Sequence, residues 1–186
     1  YMENADATWV RNRKYRNPGW HFFESVYASR PYENQVEVLF KAEQFQDKNR
    51  YMKVFMPGFK GRPYNKVMAP KTFEATQPYN MLPTPTLVVR QNGEAFTKPF
   101  VAVYEPFANT ETAGSVKSVE KLMYNDLYQG VKVTTETGGT KLVQYVLTPF
   151  ENSTISIVEP SILFKGHFAI ITFSGEGLLK EVYIGE

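Results

Sequence analysis

Apolar and polar residues alternate with a period of two along most of this chain, and glycine and proline interrupt the alternation. The clearest case is TETGGTKLVQYVLT, in which Gly138-Gly139 separates residues 131–137 from residues 140–148. Two adjacent glycines supply the positive φ angles that a two-residue hairpin turn needs. Since little of the chain repeats at helical spacing, the pattern predicts an all-β protein.

Two further hairpins are predicted. FSGEGLLKEVYIGE turns at residues 175–177 and joins residues 168–173 to residues 178–184. RQNGEAF follows residues 86–90 and offers Asn92-Gly93 as a turn, which would set Thr86 opposite Pro99.

The segment PFVAVYEPF, residues 99–107, runs past the end of that third hairpin, so residues 100–105 are expected to pair with another strand. Both faces of this strand would be apolar, which is typical of a core strand. Pro99 is expected to mark the entry to the strand and Pro106 the exit. Glu105 would then lie at a strand end, where a carboxylate stays solvated or meets an arginine.

Other strands are predicted at residues 20–29, 51–56 and 115–123. Residues 36–45 alternate as a strand would, although Val36, Leu39, Phe40 and Glu43 would also share a helical face; we favour the strand. Residues 56–85 contain six prolines and are expected to form a long ordered loop or a connection between sheets. Ten or more short strands predict one domain, residues 1–186, built as an antiparallel two-sheet β-sandwich with a proline-rich crossover; a closed barrel is disfavoured.

Composition excludes several functions. The net charge of +2 on 186 residues gives no reason to expect a nucleic-acid-binding surface. The lack of cysteine excludes disulfides, thiolate catalysis and cysteine-ligated zinc. No apolar run reaches the roughly 18 residues that a membrane-spanning helix requires. The first residue is Tyr1, so we expect a processed protein or a piece of a longer one.

The stretch WVRNRKYRNPGWHFF, residues 9–23, is the first candidate for ligand binding. Arginine forks match carboxylate and sulfate geometry, and aromatic faces stack on sugar rings. The alternative is a solvated strand with basic edge protection. We therefore predict that an acidic saccharide is contacted by the basic and aromatic residues in and near this stretch, namely Trp9, Arg11, Arg13, Tyr15, Tyr27 and Arg30.

The chain has two histidines, His21 and His167. His21 would share a face with Phe23, Ser25 and Tyr27 beside the basic stretch, and it is the one candidate for a catalytic proton-transfer residue. Tyr27 lies about 20 Å away along a strand, so the two could not share a proton directly. His167 would share a face with Ala169 and Ile171, which favours a structural core or edge position.

No metal-ligand motif, phosphate loop or GxSxG nucleophile motif is present, so no metal or other cofactor is expected. A calcium ion held by backbone carbonyls would leave no sequence pattern. Paired carboxylates are used in glycoside hydrolysis, but Glu24, Glu105 and Glu120 are each better explained as surface or salt-bridged groups. Four tyrosines in or near the proline-rich region could form a sugar platform, although packing against proline is the favoured use: Tyr32, Tyr51, Tyr64 and Tyr79.

Several ordered phrases resemble the C-terminal β-rich region of heparinase II/III-like polysaccharide lyases of Bacteroidetes. They are YMKVFMPG (51–58), LPTPTLVVRQNGEAFTKPFVAVYEPF (82–107), SVKSVEKL (115–122) and FKGHFAIITFSGEGLLKEVYIGE (164–186). The resemblance implies stacked antiparallel β-sheets after an N-terminal α/α toroid. It also implies β-elimination of uronate-containing acidic polysaccharides of the glycosaminoglycan type, and a periplasmic or extracellular location.

By the same resemblance the toroid supplies most of the catalytic apparatus, and His21 is the position that could correspond to a cleft histidine from the β region. We therefore expect a C-terminal module that supports the lyase or contacts its substrate, without a complete active site. The alternative is a free-standing carbohydrate-binding or adhesion sandwich. A complete small enzyme is disfavoured, because the two histidines form no coherent triad with other residues.

Overall fold

The computed structural model describes residues 2–3, 9–11, 23–29, 35–42, 50–70, 76–77, 80–81, 83–91, 93, 98–108, 114–124, 128–150, 154–157 and 160–185. Within these ranges the regular elements are β-strands, and every strand pairing is antiparallel. The predicted all-β class is therefore confirmed. In chain order the strands are β1 (Met2–Glu3), β2 (Trp9–Arg11), β3 (Glu24–Ser29), β4 (Val36–Ala42), β5 (Arg50–Met56), β6 (Tyr64–Ala69), β7 (Thr84–Val89), β8 (Val103–Phe107), β9 (Val116–Tyr124), β10 (Tyr128–Thr137), β11 (Thr140–Pro149), β12 (Thr154–Ile157), β13 (Ile162–Lys165), β14 (Phe168–Ser174) and β15 (Leu179–Gly185).

The strands are divided among three larger sheets and a two-stranded ribbon, where the sequence predicted two sheets. We call them the outer sheet (β2-β3-β6-β7), the central sheet (β1-β4-β5-β8), the C-terminal sheet (β15-β14-β11-β10-β9) and the ribbon (β12-β13). Each sheet alternates apolar residues with a period of two, so it can bury one face or both against its neighbours.

The central sheet is the middle layer. On one face, Val36, Val38, Val54 and Met56 pack against Tyr64 of the outer sheet. On the other face, Phe55 is fully buried among four valines of the C-terminal sheet, namely Val116, Val119, Val131 and Val133. Burial on both faces explains why the sequence of β5 is apolar at consecutive positions, as VFM.

The C-terminal sheet confirms two predicted hairpins. Thr137 pairs with Thr140 across Gly138 and Gly139, whose φ angles of 58° and 78° are those of a primed turn. β14 and β15 form the second hairpin, in which the Ser174 amide donates to the Leu178 carbonyl at 2.8 Å. The predicted strands at residues 36–45, 51–56 and 115–123 also correspond to β4, β5 and β9.

The ribbon covers the outer face of the C-terminal sheet. Ile155, Ile162 and Phe164 pack against the sheet residues Tyr145 and Leu147. Its strands have four residues each, and the alternation of so short a strand did not stand out in the sequence.

The proline-rich segment 56–85 is not one long loop. It contains β6, whose sequence YNKVMA alternates in burial along much of its length, and the first residues of β7. The second part of the expectation is correct, because the segment leads from β5 in the central sheet to β6 in the outer sheet. The prolines lie largely at the strand ends, where no ladder hydrogen bond is lost.

PFVAVYEPF differs from its predicted structure. The strand begins at Val103 and continues through Pro106 to Phe107, and β8 is an edge strand, where proline is tolerated. Phe100 and Tyr104 are exposed, so the segment is not a doubly buried core strand. Pro99 lies outside any strand, so the predicted pairing with Thr86 is not formed; Asn92 and residues 94–97 lie outside the described ranges. β8 pairs with β5, which agrees with the expected change of partner.

Glu105 is buried, with 9% of its surface exposed, so the expectation of a solvated or arginine-paired carboxylate is wrong. Its Oε1 accepts hydrogen bonds from the Ser115 hydroxyl and, at 3.1 Å, from the Val116 amide. Its Oε2 is also buried and has no hydrogen-bond partner in the described part of the chain. The carboxylate therefore ties the edge of the central sheet to the start of β9.

Replacing Glu105 with alanine should lower the free energy of unfolding by about 2–3 kcal/mol, because the buried Val116 amide loses its acceptor. Glu105→Gln keeps an acceptor oxygen in the same place and should cost less than about 1 kcal/mol. Urea unfolding followed by circular dichroism measures both changes. If the glutamine variant loses as much stability as the alanine variant, the hydrogen bond to Val116 is not the reason that Glu105 is buried.

Candidate functional site

The outer sheet brings together two of the predicted saccharide-binding residues. Arg11 of β2 lies directly opposite Tyr27 of β3, and Tyr27 lies opposite Lys66 of β6. The Lys66 Nζ is 5.5 Å from the centroid of the Tyr27 ring. Directly opposite residues on antiparallel strands are close neighbours. We call these three positions the basic row; Trp9 precedes Arg11 by two positions on the same strand, opposite Ser29.

The remaining predicted residues of the basic stretch are not placed. Arg13, Tyr15, His21 and Arg30 lie outside the described residues, as do Tyr32 and Tyr79. Their roles in binding an acidic saccharide remain predictions.

Strand β3 contains a bulge. The pairing between β3 and β6 shifts between Glu24 and Tyr27, and Ser25 has a positive φ of 50°. A bulge interrupts the alternation of side chains. The face that we expected His21, Phe23, Ser25 and Tyr27 to share therefore does not run unbroken along β3.

His167 is exposed in the turn immediately before β14. Of the two structural positions expected for it, the core position is excluded and a position at the edge of β14 is compatible with the structure.

The three candidate carboxylates lie on three different sheets. Glu24 is in β3, Glu105 in β8 and Glu120 in β9. Glu105 accepts hydrogen bonds from the Ser115 hydroxyl and the Val116 amide. Glu120 lies 3.2 Å from the Lys132 Nζ. They therefore do not form an acid and base pair. Among the residues that the structure describes, no group of three or more histidine, aspartate or glutamate side chains could hold a metal ion.

The structure describes two of the four tyrosines that could form a sugar platform, Tyr64 and Tyr51. Tyr64 is fully buried, and its hydroxyl donates to the Pro57 carbonyl at 3.3 Å, so its ring is not an exposed sugar platform. Burial raises the pKa of the Tyr64 hydroxyl. Tyr51 stacks on Phe107, with ring centroids 5.0 Å apart and planes 8° apart, beside a cavity of about 640 Å³. Neither ring stands alone as a flat platform.

A second basic and aromatic site, which we call the Phe59 groove, lies between the loop after β5 and strand β9. It has a volume of about 590 Å³. Its lining includes Gln35, Phe59, Lys60, Ser118 and Lys121. The Lys121 Nζ lies 3.9 Å from the centroid of the Phe59 ring. The groove therefore combines an aromatic side chain with two lysines.

Arg62 lies next to this groove and is almost fully buried, with 2% of its surface exposed. Its Nε donates to the Gln91 Oε1 at 3.0 Å, and one terminal nitrogen donates to the carbonyls of Lys98 and Pro99, both at 2.9 Å. The guanidinium also lies 4.4 Å from the centroid of the Phe59 ring and 4.7 Å from that of Phe100. No carboxylate is among these partners, so the positive charge of Arg62 is not neutralised by them.

The positive charge of the groove affects Lys121. Burial lowers the pKa of the Lys121 amine, and the nearby charge of Arg62 lowers it further. Two cations are thus held close together, and the Phe59 ring offers both of them its electron-rich π-system. Groups with perturbed pKa values are found at binding sites more often than elsewhere on a protein surface.

One sequence feature points to this site, although it did not lead us to predict it. Residues 56–63 read MPGFKGRP, in which glycine and proline punctuate a phenylalanine and two cations. We interpreted the segment as a connection, because nothing in its spacing shows that β9 will lie beside it.

The structure contains no helix, within its described ranges, that is long and apolar enough to cross a membrane.

Comparison with known proteins gives two matches. Residues 116–186 match the family described as the endo-acting ulvan lyase C-terminal domain. Over 174 residues, which are 92% of this chain, the sequence is 35% identical to an endo-acting ulvan lyase of Formosa agariphila. The chain spans only 20% of the length of that relative. No solved structure matches.

The family match covers β9 to β15, that is, the whole C-terminal sheet and the ribbon. Neither match names the heparinase II/III-like class that the sequence phrases resemble. The C-terminal sheet and its ribbon are therefore the part of the chain that is similar to the C-terminal domain of endo-acting ulvan lyases.

Proposed function

We propose that this chain is the C-terminal module of an endo-acting polysaccharide lyase and that it holds an acidic glycan for a catalytic part elsewhere in the same protein. The similarity of 92% of the chain to one fifth of a larger lyase supports this placement. The lyase would act by β-elimination on a uronate-containing polysaccharide, in the periplasm or outside the cell. A heparinase II/III-like α/α toroid is our candidate for the catalytic part.

The observation that carries the glycan-contacting role is the basic row. Arg11 and Lys66 take the register positions opposite Tyr27 on the two neighbouring strands, and the Lys66 Nζ lies 5.5 Å from the centroid of the Tyr27 ring, so two cationic positions and an aromatic one form one row across the outer sheet. Cationic side chains pair with carboxylate or sulfate groups, while an aromatic face packs against a sugar ring. The row thus contains the side-chain types that a negatively charged polysaccharide requires.

We also propose a role without catalysis for this chain. A β-eliminating site needs a base beside the uronate and a group that neutralises its carboxylate. The basic row itself consists of Arg11, Tyr27 and Lys66. The one described histidine, His167, lies before β14 of the C-terminal sheet and not on the outer sheet. The chain alone is therefore expected to bind a glycan without cleaving it.

Affinity electrophoresis of the 186-residue chain in gels containing ulvan, heparin or neutral dextran tests this proposal. Ulvan is chosen from the name of the relative, and heparin represents the glycosaminoglycans. We expect retardation by the acidic glycans only, and about tenfold weaker binding by the double variant Arg11→Gln, Lys66→Gln. The exposed Lys180 of β15 provides a control, because Lys180→Gln removes a charge from another sheet.

Mobility that no acidic glycan changes would contradict the proposed role. In the same samples, the release of unsaturated uronate products, detected by near-ultraviolet absorbance, would show that the chain is itself a complete enzyme.

A further inference from the structure

The Phe59 groove and the basic row are built by different strands. Its walls come from the loop after β5 of the central sheet and from the edge strand β9 of the C-terminal sheet. Its volume of about 590 Å³ is within the usual range for small-ligand sites. The groove is therefore large enough to admit a sugar residue rather than only an ion.

Positive charge predominates at the groove. Lys60 and Lys121 are exposed along it, and Arg62 lies buried behind the Phe59 ring. The one acidic side chain in the lining, Glu120, is held by the Lys132 Nζ at 3.2 Å and by the Ser118 hydroxyl at 3.4 Å. Nearby Glu37 is paired with Lys53 at 2.7 Å. Both carboxylates are paired with other lysines, so Lys60 and Lys121 can pair with an incoming anion.

The arrangement of Arg62, Phe59 and Lys121 is maintained by the fold. Arg62 is fixed by its hydrogen bonds to Gln91, Lys98 and Pro99, so its charge cannot move away from Lys121. Lys121 remains beside it because its ammonium group lies over the Phe59 ring. An anion bound between Lys60 and Lys121 would relieve the repulsion between these cations, and a neutral ligand would not.

Gln35 lies in one wall of the groove, and both ends of its side-chain amide are hydrogen-bonded within the protein. Its side-chain oxygen accepts a hydrogen bond from the Val119 amide, and its nitrogen donates to the Glu37 Oε1 at 2.7 Å. The Gln35 amide is thus engaged within the protein, and the positive charge of the two lysines determines which ligands the groove prefers.

We propose that the Phe59 groove binds the acidic group, carboxylate or sulfate, of a sugar residue, with Lys60 and Lys121 as its ligands and Phe59 as a positioning residue. The identification of the ligand as a sugar acid depends on the proposed glycan-contacting function. The anion preference depends on the groove alone.

The test uses the full chain with its lysines reductively ¹³C-methylated, which preserves their positive charge. Glucuronate and glucose 6-sulfate are titrated separately, with glucose as the neutral control and sodium chloride at matched ionic strength. We expect the Lys121 signal to shift with one or both of the sugar acids and not with glucose or chloride. A larger shift with glucuronate identifies the carboxylate as the preferred group, and a larger shift with glucose 6-sulfate identifies the sulfate.

Two variants make the assignment specific. Lys60→Met, followed on the Lys121 signal, and Lys121→Met, followed on the Lys60 signal, should each weaken the binding of the responding sugar acid at least fivefold, while Lys117→Met, on the same strand outside the groove, should leave it unchanged. Phe59→Leu should weaken binding and also change the Lys121 chemical shift in the free protein. Far-ultraviolet circular dichroism verifies the fold of each variant. Equal shifts with chloride, or unchanged binding by both lysine variants, would overturn the proposal.

The gel assay separates this inference from the proposed function. If the basic-row variant loses ulvan binding while the sugar acids fail to shift Lys121, the groove proposal is wrong and the glycan-contacting function stands. If no acidic glycan retards the chain but the sugar acids bind at Lys121, the groove is an anion site and the proposed function is wrong.

Discussion

Replacing Arg62 with methionine should lower the free energy of unfolding by about 3–5 kcal/mol, which is a large part of the stability of a typical domain. The methionine side chain fills similar space but donates no hydrogen bond. The Gln91 side chain and the carbonyls of Lys98 and Pro99 then lose their donors in a region where Arg62 is 2% exposed. Each hydrogen bond that a charged group donates is worth about 1.5–3 kcal/mol, and relief of the buried charge offsets only part of the total.

Urea unfolding measures this effect, and Arg62→Lys serves as the matched variant. Lysine preserves the positive charge but lacks the planar fork that reaches three acceptors. It should therefore recover less than half of the lost stability. If Arg62→Lys is as stable as the parent chain, charge and not hydrogen-bond geometry explains the buried arginine.

Replacing Phe55 with alanine should lower the free energy of unfolding by about 3–5 kcal/mol, because a fully buried phenylalanine leaves a cavity. Phe55 is 0% exposed and lies among Val116, Val119, Val131 and Val133. Its loss therefore opens the contact between the central sheet and the C-terminal sheet. Leu163→Ala is the control, since Leu163 is 80% exposed on the ribbon and its truncation should change stability by less than about 0.5 kcal/mol.

The Phe55 variant also tests whether residues 1–186 form one domain. Both tryptophans, Trp9 and Trp20, lie near the start of the sequence, so tryptophan fluorescence reports on the first half of the chain. Circular dichroism reports on all strands. In a single cooperative domain both transitions shift together to lower urea. A shift in circular dichroism with unchanged fluorescence would show that the matched region 116–186 unfolds as a separate unit.

The hairpins were predictable because their signals are local. Gly138-Gly139 specifies a two-residue turn, and the strands on either side alternate clearly enough to fix the register that pairs Thr137 with Thr140. The choice of Arg11 and Tyr27 as candidate binding residues, which the structure places opposite each other, came from the same kind of information, since it depends on residue type and on an extended backbone.

Glu105 and Arg62 could not be interpreted in the same way. A carboxylate beside a proline is typical of a solvated strand end, and only the approach of Ser115 and Val116 from the next sheet makes Glu105 a buried acceptor. Arg62 lies between a glycine and a proline in a segment typical of surface loops. Its burial depends on carbonyls 36 and 37 residues away along the chain, a separation at which no sequence period operates.

The sequence by itself determined the class of structure, the antiparallel pairing of neighbouring strands and the presence of cations beside aromatic residues, because each of these depends on residues close together in the chain. Only the tertiary structure decided how the strands are divided among three stacked sheets and a ribbon, and which charges are buried. The physical reason is that sheets pack through faces whose partners are distant in sequence, so the burial of Glu105 and Arg62 and the groove beside Phe59 exist only where separate sheets meet.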